Sequence, residues 1–315
     1  MVMRGRLITI MALGVFALAA EAVPTAIQQQ PVATFKAGVD LVRVSAVVRD
    51  RKGRFVQDLS ARDFEVLDGG QKRSITDFRN DLAGISVALL FDVSGSMEAK
   101  IPNAREAAEH LLSWLDPKAD EAAVFTFDTR LDEVTGFKSG LKTLPEALAN
   151  ITPFGATSLH DAIAQTADRV GAREGHRRAV VVLTDGNDNA SRLNPNEAAS
   201  IASAIDVPVY IFGIVPSIDN PSEDIATSSV DRSALSGPLA DLASRTGGHV
   251  FTSSTPGQRS LAARQIVDEL RHQYLIAFES SGKPGWHPLV VRARDKDLTV
   301  RARSGYIAGQ SRPNS

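Results

Sequence analysis

The sequence predicts an α/β protein: a doubly wound, mostly parallel sheet inserted in a small β-sandwich built from the N- and C-terminal flanks. Three observations predict it. Runs such as Ile85 to Phe91 and Ala179 to Leu183 are too uniformly apolar for strands with one wet face, so helices must cover both faces. These runs alternate with amphipathic helical stretches across about 82–270. Turn-rich, alternating segments lie on either side, and each alone has too few strands for a core of its own, so the two are expected to pack together.

Residues 1–22 have the pattern of an export signal: Arg4 and Arg6, an apolar stretch from Leu7 to Ala20, and the small-x-small sequence Ala20-Glu21-Ala22. The stretch is shorter than the roughly 20 residues a spanning helix needs, and no other segment qualifies. The mature chain is therefore expected to be exported, periplasmic or secreted, with no transmembrane segment. Residues 23–34, with Gln28-Gln29-Gln30-Pro31, read as a linker.

The flank 35–81 is β-rich. Val42, Val44, Ala46 and Val48 recur at every second position, the period of a half-buried strand. Phe64 to Leu67 runs into Asp68-Gly69-Gly70, which predicts a hairpin with Ser74 to Phe78 returning. From Ile85 the expected order is strand 85–91, helix 103–115, strand 122–127, helix 158–170, strand 179–184, helix 195–205, strand 208–214 and helix 237–246. Ala104, Ala108, Leu111 and Leu115 share one helical face, and Leu159, Ala162, Ile163, Ala167 and Val170 another. Asn194-Pro195-Asn196-Glu197 supplies a capping box with proline in the first turn, and Gly247-Gly248 closes the last of these helices. The flank 271–309 returns to β character, with strands at 274–278, 289–294 and 298–303; the alternate arginines of the last two are expected to face solvent. Residues 310–315 form a tail.

Composition narrows the function. With 43% apolar residues over 315 positions the chain can bury a large core, which excludes a disordered protein. Its 35 basic and 37 acidic residues leave a net charge of −2, so no basic footprint points to nucleic acid. The lack of cysteine removes disulfides, thiolate ligands and a thiol nucleophile.

Chemistry concentrates in Asp92-Val93-Ser94-Gly95-Ser96, which places a carboxylate and two hydroxyls directly after an apolar strand. In an open α/β sheet, ligands bind beyond the carboxyl ends of the strands, where strand order reverses. Two further pieces should meet there: Thr157 in Gly155-Ala156-Thr157-Ser158, with Ser158 expected to cap the following helix, and Asp185 in Leu183-Thr184-Asp185-Gly186. Oxygen-only donors suit a hard divalent cation. Singly, the hydroxyls also fit helix caps and the aspartates fit turns. A strand-ending aspartate is also the nucleophile of haloacid-dehalogenase-type hydrolases, but Ser94 stands where those enzymes carry a second aspartate. No Gly-x-Ser-x-Gly, phosphate-binding glycine loop or His-Glu-x-x-His is present.

With these five residues in this order, the chain resembles a von Willebrand factor type A domain over about 82–270. That family's metal-ion-dependent adhesion site has the pattern Asp-x-Ser-x-Ser, a distant Thr, and an Asp in a Thr-Asp-Gly turn. The flanks resemble a bacterial group of such proteins, through Asp63-Phe64-Glu65-Val66-Leu67-Asp68-Gly69 and Arg303-Ser304-Gly305-Tyr306. The resemblance implies Mg²⁺, with Mn²⁺ or Ca²⁺ as alternatives, held by Asp92, Ser94, Ser96, Thr157 and Asp185. It further implies a protein partner that offers an Asp or Glu carboxylate to the metal, and binding rather than enzyme activity. A phosphatase-like hydrolase using Asp92, and an assembly subunit with a metal-stabilised fold, are the other two readings. Asp188 and the acidic Asp219, Glu223 and Asp224 of the Ser/Asp/Pro-rich segment 216–236 are candidates for a rim or secondary site.

Overall fold

The computed structural model describes residues 41–80, 84–173, 177–215 and 235–309. The export-signal and linker segments, and Asp219, Glu223 and Asp224, lie outside the described residues. In chain order the elements are β1 (Leu41–Arg49), β2 (Phe64–Asp68), β3 (Gln71–Arg73), β4 (Ile75–Arg79), β5 (Ile85–Asp92), α1 (Ile101–Trp114), β6 (Glu121–Phe127), β7 (Leu131–Ser139), α2 (Leu159–Gly171), β8 (Arg177–Thr184), α3 (Pro195–Ala204), β9 (Val209–Ile214), α4 (Pro238–Thr246), β10 (Val250–Ser253), α5 (Pro256–Arg271), β11 (Gln273–Glu279), β12 (Gly285–Ala293), β13 (Thr299–Ala302) and β14 (Gly305–Ala308).

The central sheet has the order β10-β9-β8-β5-β6-β7, parallel except at β7, which runs antiparallel to β6. β5 is buried along its whole length because side chains leave it in both directions. Val87, Leu89 and Phe91 enter one core with α1 and α5, whereas Ala88 and Leu90 enter the other with α2, α3 and α4. The chain passes from β5 to β6 on one side and later returns to β8 on the other. Strand order therefore reverses between β5 and β8, so the crevice at their carboxyl ends is where a ligand site is expected.

The flanks form two four-stranded antiparallel sheets, β13-β1-β11-β4 and β14-β12-β2-β3, and each sheet takes strands from both ends of the chain. Val44, Val66, Tyr274, Phe278 and Leu289 are among the residues of their shared core. The α/β unit is thus inserted in a β-sandwich, as the sequence predicts. The hairpin differs from expectation: Val66 to Asp68 pair with Gln71 to Arg73, while β4 crosses to the other sheet and pairs with β11. Only two glycines separate Asp68 from Gln71. Both have positive φ, so the turn is complete there and Ser74 begins the crossover.

The flanking motifs have structural work. Asp68 is buried in the sandwich, where it accepts from Arg73 Nε at 3.1 Å and lies 2.8 Å from His287 Nδ1; the His287 ring stacks on Tyr306 at 5.0 Å. Arg303 is only 4% exposed and donates to the carbonyls of Ser203 and Arg43, with Nε 3.5 Å from Asp206 Oδ1. This corrects the expectation of a solvated arginine face. Arg292 does pair in the open with Glu65, but Arg301 reaches Glu269, and Arg303 is enclosed, because this stretch of the sandwich packs on the α/β unit. Asp206 completes the join by accepting from Ser45 N at 3.2 Å and Ser45 Oγ at 2.9 Å.

Four further elements were not expected from the sequence: β7, β10, α5 and β14. Among the described residues, no helix is long and apolar enough to cross a membrane.

Candidate functional site

The five predicted residues occupy three loops at the carboxyl ends of β5 and β8 and at the head of α2. Asp92 ends β5 and is completely buried. Its Oδ1 accepts from Ser94 N at 3.0 Å, and its Oδ2 accepts from Thr184 Oγ1 at 2.6 Å. Ser94 and Ser96 then bring their hydroxyl oxygens to 3.2 Å from each other across the turn. Asp185, one residue past β8, accepts from Lys100 Nζ at 2.6 Å and from Asn187 N at 3.2 Å.

Backbone hydrogen bonds join the loops. Gly95 N donates to Gly155 O at 3.1 Å and Phe154 N to Val93 O at 2.9 Å, which fastens the stretch leading to Thr157 onto the Asp92 turn. Thr157 is buried; its N donates to Asn189 Oδ1 at 2.8 Å, and its carbonyl accepts from Asn189 N and Ala190 N at 3.0 and 2.9 Å. That second clasp fixes the same stretch to the loop after β8. Phe154 is 80% exposed, so the joined loops also present one aromatic ring to solvent.

The Ser158 side chain makes no cap hydrogen bond. The capping acceptor comes instead from the loop after β8: Asp188 Oδ1 accepts from Leu159 N at 2.8 Å and from Ser191 Oγ at 2.6 Å, and Oδ2 lies 3.2 Å from His160 Nδ1. Asp188 therefore faces the amino terminus of α2, where a negative charge also complements the helix dipole. Asp188→Ala is expected to lower stability by about 1–2 kcal/mol and Asp188→Asn, which keeps an acceptor, by less; urea denaturation of the two variants checks this order.

The two aspartates differ electrically. Burial pushes the Asp92 carboxyl up to about 6, against the hydrogen bonds of Ser94 and Thr184, and the charge of Asp185 adds to the rise. Burial also opposes ionisation of Asp185, but the Lys100 ammonium and the Asn187 amide outweigh it and the net shift is downward. Asp92 is thus a buried carboxylate whose named partners are neutral donors, while Asp185 has a cation against it.

Among the described residues, no group of three or more His, Cys, Asp or Glu side chains is arranged to hold a metal ion. The cluster at β5 and β8 has a different composition, three hydroxyls with two carboxylates, and this set fits a hard cation that accepts neutral oxygen donors. An ammonium already lies against Asp185, which shows that the site accommodates positive charge. Lys100, Thr184, Asn189 and Ser191 were not anticipated from sequence. The polar run from Gly186 to Ser191 gave the only hint of the last two.

The family model described as von Willebrand factor type A domain matches residues 86–267. Among solved structures, the chain is similar to a von Willebrand factor type A protein from Catenulispora acidiphila, at 16% identity over 87% of this chain and 75% of that one, with a TM-score of 0.46. It is also similar to the conserved hypothetical protein BatB from Bacteroides thetaiotaomicron, at 20% identity over 59% and 98%, with a TM-score of 0.46. A third similar structure is proximal thread matrix protein 1 from the mussel byssus with a zinc-occupied MIDAS motif, at 22% identity over 64% and 49%, with a TM-score of 0.45. No curated protein matches the chain.

Proposed function

Because this chain belongs to the von Willebrand factor type A domain family, we propose that its β5–β8 crevice holds a divalent cation through which the protein binds a partner's carboxylate. The observation that carries this reading is Asp92: a carboxylate with no exposure, bonded by neutral donors and set among hydroxyls at the reversal point of the sheet. Such a group is costly unless a positive charge joins it.

The hydroxyls of Ser94, Ser96 and Thr157 would hold the cation, with Asp92 and Asp185 offsetting its charge. When bound, it supplies a Lewis-acidic centre with a coordination position open to an Asp or Glu carboxylate. Mg²⁺ suits the oxygen-only set, and Mn²⁺ and Ca²⁺ share that preference. The chain's own residues do the rest: Thr184 and the Ser94 amide fix the Asp92 carboxylate, and the clasp on Asn189 fixes Thr157. Phe154 gives the partner an apolar contact beside the site.

A hydrolase is less well supported. Ser94 stands where an acid or base would be needed, and the remaining carboxylate, Asp185, is tied to Lys100. The basic, apolar and small-residue pattern of residues 1–22 supports an exported location. Capture from an exported proteome on the immobilised protein tests the whole reading. Proteins should be retained in Mg²⁺ and released by EDTA, and they should fail to bind Asp92→Asn protein; retention undiminished by EDTA contradicts it.

A further inference from the structure

Lys100 is placed where a cation is wanted. Its Nζ lies 2.6 Å from Asp185 Oδ2, and the side chains of the pair are 21% and 4% exposed. The lysine backbone is fixed at the head of α1: its N donates to Met97 O at 2.8 Å and its carbonyl accepts from Ala104 N at 3.0 Å. The chain is therefore anchored at Cα, while four methylenes let the ammonium advance or withdraw. A lysine suits this better than an arginine, being a compact point charge on a flexible stem. Asp185 Oδ1 accepts from Asn187 N at 3.2 Å, so the amide and the ammonium divide the two carboxylate oxygens between them, and a further positive group at Oδ2 would meet the ammonium directly.

We propose that Lys100 is a tethered cation that occupies the Asp185 side of the divalent-cation site and must yield when a metal ion binds, so that it sets the metal affinity. The inference deepens the function proposed above and rests on it. With Lys100 in place, the carboxylates of Asp92 and Asp185 present one net negative charge to an incoming divalent ion in place of two. Repulsion at such short range is little screened by salt because the pair is partly buried. Metal-free protein keeps Asp185 paired, and occupancy follows the external concentration of divalent ion instead of being saturated at trace levels.

Mn²⁺ titration of the full chain by calorimetry, paired with thermal unfolding with and without Mn²⁺, tests this. Lys100→Met and Lys100→Gln are each expected to bind Mn²⁺ about tenfold more tightly than wild type, whereas Lys100→Arg, which keeps the charge, stays near wild type. Both neutral variants should melt lower than wild type without metal and gain more from added Mn²⁺. A lysine that only braced Asp185 would lower the metal-free melting temperature and leave the Mn²⁺ affinity unchanged. Folded Lys100→Gln protein with wild-type or weaker affinity, beside a wild type that binds Mn²⁺, overturns the inference alone. Failure of every folded form to bind Mn²⁺ overturns the cation site itself.

Discussion

Asp92→Asn is expected to lower the affinity for Mg²⁺ or Mn²⁺ by at least about a hundredfold and, in the same protein, to raise the stability of the metal-free chain at pH 8. The two effects have one cause. In the folded metal-free protein the Asp92 carboxyl titrates at about 6 in place of its ordinary 3.8, because burial penalises the charge. Between those values the folded chain holds a proton that the unfolded chain has released, so stability falls as pH rises through the window from about 4 to about 6. Asp185 acts in the opposite sense: its lowered value contributes stability that is present above the ordinary carboxylate range and lost as pH falls. The Asp92 displacement corresponds to a penalty on the order of 3 kcal/mol at neutral pH, which a neutral amide removes. An amide still accepts from Ser94 N, and the Thr184 hydroxyl can reverse its role. Melting temperatures at pH 3.5, 5 and 8 check the sign: the gain from Asp92→Asn should be large at pH 8, about half as large at pH 5 and small at pH 3.5.

Arg303→Ala is expected to cost about 3–5 kcal/mol. The substitution strands Asp206, which is 5% exposed, and takes donors from the Ser203 and Arg43 carbonyls. It also opens the seam between the sandwich and the α/β unit, since Arg43 and Arg303 belong to the flanks while Ser203 and Asp206 belong to the insertion. Asp206→Asn should recover part of the loss in the double variant: asparagine tolerates the positive φ of 54° at this position and keeps an acceptor for Ser45. Urea midpoints of the single and double variants measure the coupling.

The elements most legible in the sequence were those whose signal is local. Asn194 to Glu197 forms its predicted reciprocal cap, with Asn194 Oδ1 accepting from Glu197 N at 3.1 Å and Glu197 Oε2 accepting from Asn194 N at 2.9 Å. The apolar runs became the buried strands because burial on both faces leaves no polar positions to mislead. β7 lacked any such signal: it is an edge strand with no fully buried residue, and its pairing with β6 shifts register twice, which destroys the two-residue period. Arg303 looked like part of a solvated run because a charged residue announces its partner only through tertiary contact. The site divides the same way. Asp92, Ser94, Ser96, Thr157 and Asp185 stand out as oxygen donors beside strand ends, whereas Lys100 resembles any other lysine at the start of a helix until the fold sets its ammonium against Asp185.

The central claim is that the hydroxyl and carboxylate cluster at β5 and β8 is a divalent-cation site, and its most direct test is anomalous diffraction from crystals of the protein grown with Mn²⁺. The account predicts one strong anomalous peak bounded by the side-chain oxygens of Ser94, Ser96 and Thr157, with Asp92 and Asp185 about it and the Lys100 ammonium drawn back from Asp185. Saturating Mn²⁺ with no peak in that crevice and the Lys100–Asp185 pair intact would contradict it.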